Sequence, residues 1–278
     1  MRLFRVLPFA ALLAAALVLF GGVSAIAPAR SAPAWAPAAT AAVHPGVQTF
    51  TQGAQCTANF IYYDSTNVYI GQAAHCSGTG GNTQTNGCTS PTLPVGTQVA
   101  VQGASRPGTM IYNSWVTMQS LGEQDANTCA YNDLALVKLD AADVGNVNPS
   151  VPHWGGPNGL AGGTGLLEQV YSYGNSELRP VSLLSPKTGV SLGSDSGGWQ
   201  QTVYTLTPGI PGDSGSGFLN STGQAFGILS TVQILPLAGA NGVGTLQLEL
   251  DYMRAHVSSL AGVQLANGTV PFRGGLPF

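Results

Sequence analysis

Two stretches of the chain place a serine between an aspartate and a glycine, GSDSGGW over residues 193–199 and GDSGSG over 212–217, and each could present a reactive hydroxyl, Ser196 or Ser214. A serine hydroxyl is a poor nucleophile at neutral pH. It becomes effective when a neutral imidazole takes its proton and a carboxylate orients that imidazole. The chain supplies both partners upstream: AAHC over 73–76 carries His75, and NDLALVKL over 132–139 carries Asp133. Together these types support acyl transfer, in which an acyl-serine forms and water then releases it. Asp125 and Asp140 compete with Asp133, but only Asp133 runs directly into an apolar segment that can anchor it beneath a histidine.

Those groups must be positioned by short strands, because 38 glycines and 18 prolines imply many turns. Aromatic and β-branched runs predict a hairpin over 60–63 and 68–70, with His75 just past its second strand. Further strands are expected over 95–101, 109–118, 134–139, 166–173, 199–206, 225–234 and 244–248. Residues 144–165 dissolve into Gly, Pro and Asn and read as a connection between two lobes. Leu250, Met253, Val257 and Leu260 recur at helical spacing, which predicts one C-terminal helix packed on a lobe. The fold class expected is all-β.

Only 8% of residues are charged and the net charge is -3, which leaves no basic field to draw nucleic acid or an anionic membrane. Arg2 and Arg5 precede an apolar run over 7–23, and Val23-Ser24-Ala25 fits small-x-small cleavage, so residues 1–25 read as a signal peptide. A retained anchor is the competing reading, since the run falls slightly short of the about 20 residues that span a bilayer. Residues 26–46, rich in Ala and Pro, read as a linker or short pro-segment, with folding expected from about Val47. Export brings an oxidising compartment, where Cys56, Cys76, Cys88 and Cys129 favour two disulfides. Pairing Cys56 with Cys76 would close the loop before His75 and leave Cys88 with Cys129, although the sequence does not by itself set that connectivity. No Cys-x-x-Cys occurs, and His44, His153 and His256 are not grouped with the cysteines, which argues against a metal site.

The order His, Asp, Ser differs from the α/β-hydrolases, which run Ser, Asp, His, and from the subtilisins, which run Asp, His, Ser. In these motifs the chain resembles the chymotrypsin/trypsin-like serine proteases, and its glycine-rich, lysine-poor style is most similar to the secreted actinobacterial branch. The resemblance runs from about Cys56 to the C-terminal helix. It implies two antiparallel β-barrels, 47–150 carrying His75 and Asp133 and 151–262 carrying Ser214 and the helix, followed by a tail over 263–278. It also implies a secreted, monomeric endopeptidase that acts on polypeptides without a cofactor. His75 would then be general base and acid, Asp133 its orienting partner and Ser214 the nucleophile. In this family the oxyanion is received by the N–H groups of the serine and of the residue two before it, normally glycine. Ser214 has Gly212 there, whereas Ser196 has Ser194. Ser214 also leads into two apolar runs around an Asn-Ser-Thr-Gly turn, the hairpin expected to wall a substrate pocket, so GSDSGGW reads as a polar surface loop.

The chain departs from the family pattern in several places. Gln72 stands where Thr or Ser usually heads the histidine motif, and Gly217 where proline often follows. Six residues before the nucleophile, where trypsin-type members carry Asp, stands Pro208. A pocket based on Pro208, with Ser230, Thr231 and Val232 aligned to its wall, is expected to take an apolar or small residue, because an unpaired buried cation costs several kcal/mol. Asp213 pairs with a freed N-terminus in many relatives, but no Ile-Val-Gly-Gly start occurs, and Arg179 or Arg106 is expected to serve instead. Two other functions fit the same residues: a catalytically silent binding module on this fold, and an esterase using the same triad.

Overall fold

The computed structural model describes residues 32–81, 84–233 and 239–277; the leader expected over 1–25 and Ile234 lie outside the described residues. Strands and helices are numbered in chain order. The first half of the chain contributes β1 (Gln48–Thr51), β2 (Ala54–Thr57), β3 (Ile61–Tyr63), β4 (Val68–Ala73), β5 (Gln98–Val101), β6 (Gly108–Asn113) and β7 (Leu134–Lys138). The second contributes β8 (Gln169–Tyr173), β9 (Pro186–Asp195), β10 (Gln200–Thr205), β11 (Gly217–Leu219), β12 (Ala225–Gln233) and β13 (Ala240–Thr245), and β14 (Gln264–Leu265) follows near the end. The later strands β8–β13 close into a barrel in the order β10-β13-β12-β11-β8-β9. The earlier ones form a curled, open sheet in the order β14-β3-β4-β7-β6-β5-β1-β2. The chain is therefore all-β, as expected, with one closed barrel and one half-barrel sheet.

Strand alternation explains how the two halves share a core. Successive side chains of a strand face opposite ways, and in β4 and β7 both faces are buried. Ile70, Ala135 and Val137 pack inside the first sheet. Their neighbours Tyr69, Leu134 and Leu136 face a second core built with Trp154, Tyr171 and Ile228. The LALVK run is thus continuously apolar until Lys138, because neither face of β7 meets water. The barrel has its own smaller core of Val170, Val203, Phe218, Phe226, Leu229 and Val243.

The structure corrects two strand expectations and shows contacts at both ends of the body. Residues 109–118 are not one strand: β6 ends at Asn113, whose side chain accepts from the Trp115 and Val116 N–H groups and caps α1 (Ser114–Leu121). The run over 244–248 likewise changes character, since β13 stops at Thr245 and α3 (Leu246–His256) begins at Leu246. Residues 35–43, within the stretch expected as a linker or short pro-segment, pack on the body: Trp35 meets Tyr63 edge-on, Val43 is fully buried, and Ala36 N–H donates to the Val147 carbonyl. In the segment expected as a tail, β14 pairs with β3 and Phe272 packs against Tyr171. Ala and Pro supply no patterned face, but against a preformed sheet a single Trp and Val suffice to dock a segment. No helix among the described residues is long and apolar enough to cross a membrane.

Candidate active site

Strand pairing brings His75 to Asp133. β4 and β7 run antiparallel with Ala73 opposite Leu134, so the residues just past that pair meet, and Ala74 N–H donates to the Asp133 carbonyl at 2.6 Å. His75 sits in the single 3-10 turn that follows β4, residues Ala74–Ser77. Its backbone N–H donates to Asp133 Oδ1 at 2.8 Å, and its ring Nδ1 lies 2.6 Å from Asp133 Oδ2. With Nδ1 donating to the carboxylate, Nε2 is left with a lone pair able to take a proton. Burial of the imidazole lowers its pKa, but the charge and hydrogen bond of Asp133 outweigh that, and the net direction is upward. The carboxylate itself is almost wholly enclosed. Asp125 and Asp140 have other tasks. Asp125 caps α2 (Ala126–Tyr131) by accepting from Thr128 N–H, and Asp140 lies 3.6 Å from Arg106 near the surface.

Ser230 was expected on the pocket wall. Its hydroxyl donates to Asp133 Oδ2 at 2.6 Å, while the residue stays on β12 beside Thr231 and Val232. The disulfide Cys56–Cys76 ties β2 to the turn beside His75, and Cys88–Cys129 bridges the loop to α2. Among the described residues the only cluster with metal-ligating atoms is Cys56, His75 and Cys76, and two of its members are already consumed by that disulfide.

The loop bearing Ser214 docks on the same edge. The Ser214 carbonyl accepts from Thr57 N–H at 2.9 Å, one residue past Cys56. Gly215 packs so closely that a Cβ there would lie 2.7 Å from the Ala73 nitrogen, and its φ of +85° also favours glycine. Ser214 Oγ makes no hydrogen bond to His75 among the described residues. Ser196 sits elsewhere, on the polar turn between β9 and β10.

Ahead of Ser214 the chain makes a tight turn. Asp213 N–H donates to the Ile210 carbonyl at 2.9 Å, Pro211 occupies the second position, and Gly212 the third with φ +95°. These are the marks of a type II turn, which requires a positive φ at its third residue. The Pro211 carbonyl is held by the Ser176 hydroxyl at 2.5 Å. Because the N–H of a trans peptide points opposite its carbonyl, the Gly212 N–H is turned away from Ser176. The Gly212 carbonyl is secured in turn by Thr57 Oγ1 at 2.8 Å and Gln55 Nε2 at 3.0 Å. Neither the Gly212 nor the Ser214 N–H donates to a protein acceptor among the described residues. A Cβ at residue 212 would collide with the Gln55 side-chain oxygen and the Ser176 hydroxyl.

Behind the turn lies a buried ionic cluster. Asp213 is fully enclosed, and Oδ2 accepts from Arg179 Nη2, from Lys187 Nζ at 2.6 Å and from Ile210 N–H at 3.1 Å. Its Oδ1 takes Arg179 Nε and Ser176 N–H. Arg179 is thus one partner of Asp213, whereas Arg106 is not. Lys187, on β9, was missed. Its sequence signal was faint: one of two lysines in the chain, set inside a strand. Burial and the neighbouring Arg179 lower its pKa, and despite the pull of Asp213 it falls to about 8. Both cations also reach the Pro208 carbonyl, at 3.4 Å for Lys187 and 3.3 Å for Arg179. Near Pro208, Gly209 N–H donates to Asn241 Oδ1, and a Cβ at Gly209 would lie 3.3 Å from a methyl of Val232, itself half exposed.

No family model matches the chain, and no curated protein matches it in sequence. Solved structures do. Thermobifida fusca protease A aligns over 82% of this chain and 100% of its own at 16% identity, with a TM-score of 0.52. A Nocardiopsis protease aligns over 80% and 98% at 16% identity and TM-score 0.48. A glutamic acid-specific serine protease, described as using a histidine triad in substrate binding, aligns over 81% and 100% at 17% identity and TM-score 0.49. The likeness establishes a fold: the chymotrypsin-like double barrel found in actinobacterial serine proteases.

Proposed function

We propose that the chain is an exported serine endopeptidase that hydrolyses peptide bonds through an acyl-enzyme. The observation that carries this reading is the convergence of a carboxylate-bound histidine and an open pair of N–H groups on one serine-bearing loop edge. Ser214 Oγ gives its proton to His75 Nε2 and bonds to the substrate carbonyl carbon. The carbonyl oxygen, now negative, is received by the Gly212 and Ser214 N–H groups, which are already oriented and need no rearrangement. Asp133 stabilises the imidazolium, which returns its proton to the leaving amine. Water then repeats the sequence and frees the acid. The turn argues against a silent module, since it leaves the Gly212 and Ser214 N–H groups without a protein acceptor among the described residues beside a carboxylate-bound histidine.

Substrate choice follows from Pro208 and Val232. Pro208 stands where trypsin-type proteases carry a carboxylate, and the two cations of the Asp213 cluster both donate to the Pro208 carbonyl. An Arg or Lys side chain entering there would be unpaired and repelled, so an apolar or small residue before the cleaved bond is favoured. The two disulfides suit an extracellular location. Labelling with a fluorophosphonate probe tests the reading: wild type and Ser196→Ala should label and cut casein, and Ser214→Ala should do neither. Labelling that survives in Ser214→Ala overturns it. An enzyme that labels but cleaves only activated esters would be an esterase.

A further inference from the structure

Glu249 lies on α3, fully buried, and its Oε1 accepts the backbone N–H of Asp133 at 2.9 Å. Its other oxygen, Oε2, is enclosed without a partner among the described residues. Space for the carboxyl is made by Gly244 on β13, where a Cβ would lie 2.7 Å from Oε1. Among the described residues no cation faces it: the surrounding titratable groups are Asp133 at the head of β7, Tyr112 on β6 and Tyr62 on β3. Arg254, one turn on, is committed to Asp251 and the Val263 carbonyl. An ionised carboxylate here would be unpaired and next to a second negative charge, a state that burial strongly disfavours. As a neutral acid it has one carbonyl oxygen to accept from Asp133 and one hydroxyl to place on Oε2.

We propose that Glu249 is a positioning residue, kept as the neutral acid, that clamps the Asp133 backbone through its N–H. The inference rests on the functional reading of His75, Asp133 and Ser214. The same aspartate is thereby held at three points: its carbonyl by Ala74, its side chain by His75 and Ser230, and its N–H by Glu249. A neutral clamp holds the main chain without adding negative charge that would hold a proton on His75. Burial drives its pKa upward and the Asp133 charge adds to that, against the pull of the Asp133 N–H.

Two measurements test the clamp in the full exported protein. Infrared spectra with 13C-labelled glutamate should contain a protonated-carboxyl stretch at pH 7 that vanishes in Glu249→Gln. The other three glutamates, Glu123, Glu168 and Glu177, are not buried, so the band has one source. In kinetics on a peptide amide, Glu249→Gln, which keeps acceptor and donor, should hold kcat and the acid midpoint of the pH profile at wild-type values. Glu249→Leu removes the acceptor, and Glu249→Asp withdraws it by one methylene. Each should lower kcat about 10-fold with KM unchanged, the loss expected for one buried hydrogen bond. Glu249→Asp decides the point if the leucine variant does not fold. An absent band, an acid midpoint that falls in Glu249→Gln, or wild-type kcat in Glu249→Asp overturns the proposal. Failure of the serine protease reading would show differently, as labelling that persists in Ser214→Ala while the infrared band remains.

Discussion

Lys187→Met is the substitution whose effect can be worked most fully from the structure. Lys187 Nζ is wholly buried against Asp213, with Arg179 competing for the same carboxylate. Burial strips Lys187 of water and Arg179 adds repulsion, so despite Asp213 the folded protein holds the Lys187 proton weakly, to about pH 8 against an ordinary 10.5. Between those values the folded lysine is neutral while the unfolded one is charged, and unfolding takes up a proton. Stability contributed by Lys187 therefore rises with pH through this window. Integrating the proton difference from pH 7.5 to 9.5 gives about 2 kcal/mol. The assay is denaturant unfolding of wild type and Lys187→Met at intervals across that range. Other titrating groups, tyrosines included, are shared and cancel in the difference. The gap between wild type and Lys187→Met should widen in favour of wild type by about 2 kcal/mol. On an Arg179→Met background it should widen less, because the repulsion from Arg179 is gone while the burial that lowers the Lys187 pKa remains. A gap that is flat or shrinks in the otherwise native protein refutes the idea of a crowded cluster.

Two further outcomes concern the candidate site. Activity should rise with pH through a midpoint above the ordinary imidazole value of 6.5, because Asp133 raises His75; Asp133→Asn should lower that midpoint and cost about 10^4 in kcat, measured on a peptide amide. Gly212→Ala puts a methyl onto Gln55 and Ser176 at a φ of +95°; the melting temperature should fall, and at a temperature where the variant stays folded kcat should drop about 10^2-fold or more, whereas a normal kcat would mean that the Gly212 N–H receives no charge.

Where the chain changes direction, local pattern and tertiary outcome part company. The fold class was legible because strand signals are local: aromatic and β-branched runs between Gly, Pro and Asn turns gave β3, β4, β7 and β12 close to their observed bounds. The misread stretch over 109–118 alternates well enough for a strand, but Asn113 and Ser114 offer a cap, and a cap is worth more than propensity at that point. Strands β1, β2 and β14 were unreadable for a different reason. Each is short, and β1 and β14 also pair with strands far along the chain, β5 and β3, while β2 is an edge strand that pairs with β1 alone.

The candidate site divides in the same way. That Asp133 should approach His75 follows from an apolar strand directly after the aspartate and another directly before the histidine, since antiparallel pairing of two such strands leaves their ends together. Lys187, Ser176 and Glu249 act through contacts of 26, 35 and 116 residues' separation, which no local pattern encodes. Glu249 nonetheless left a trace. It falls on the helical face that carries Leu246, Leu250 and Met253, all buried, where a glutamate contradicts the stripe it belongs to. A charged type inside an apolar face costs several kcal/mol unless something uses it, and the polar group it uses here is the backbone of the residue that orients the histidine. The contradiction in the helix pattern and the carboxylate at the site are two views of one arrangement. Polar residues that break an amphipathic stripe are therefore the positions from which hidden supports of a β-barrel site can be sought in a bare sequence.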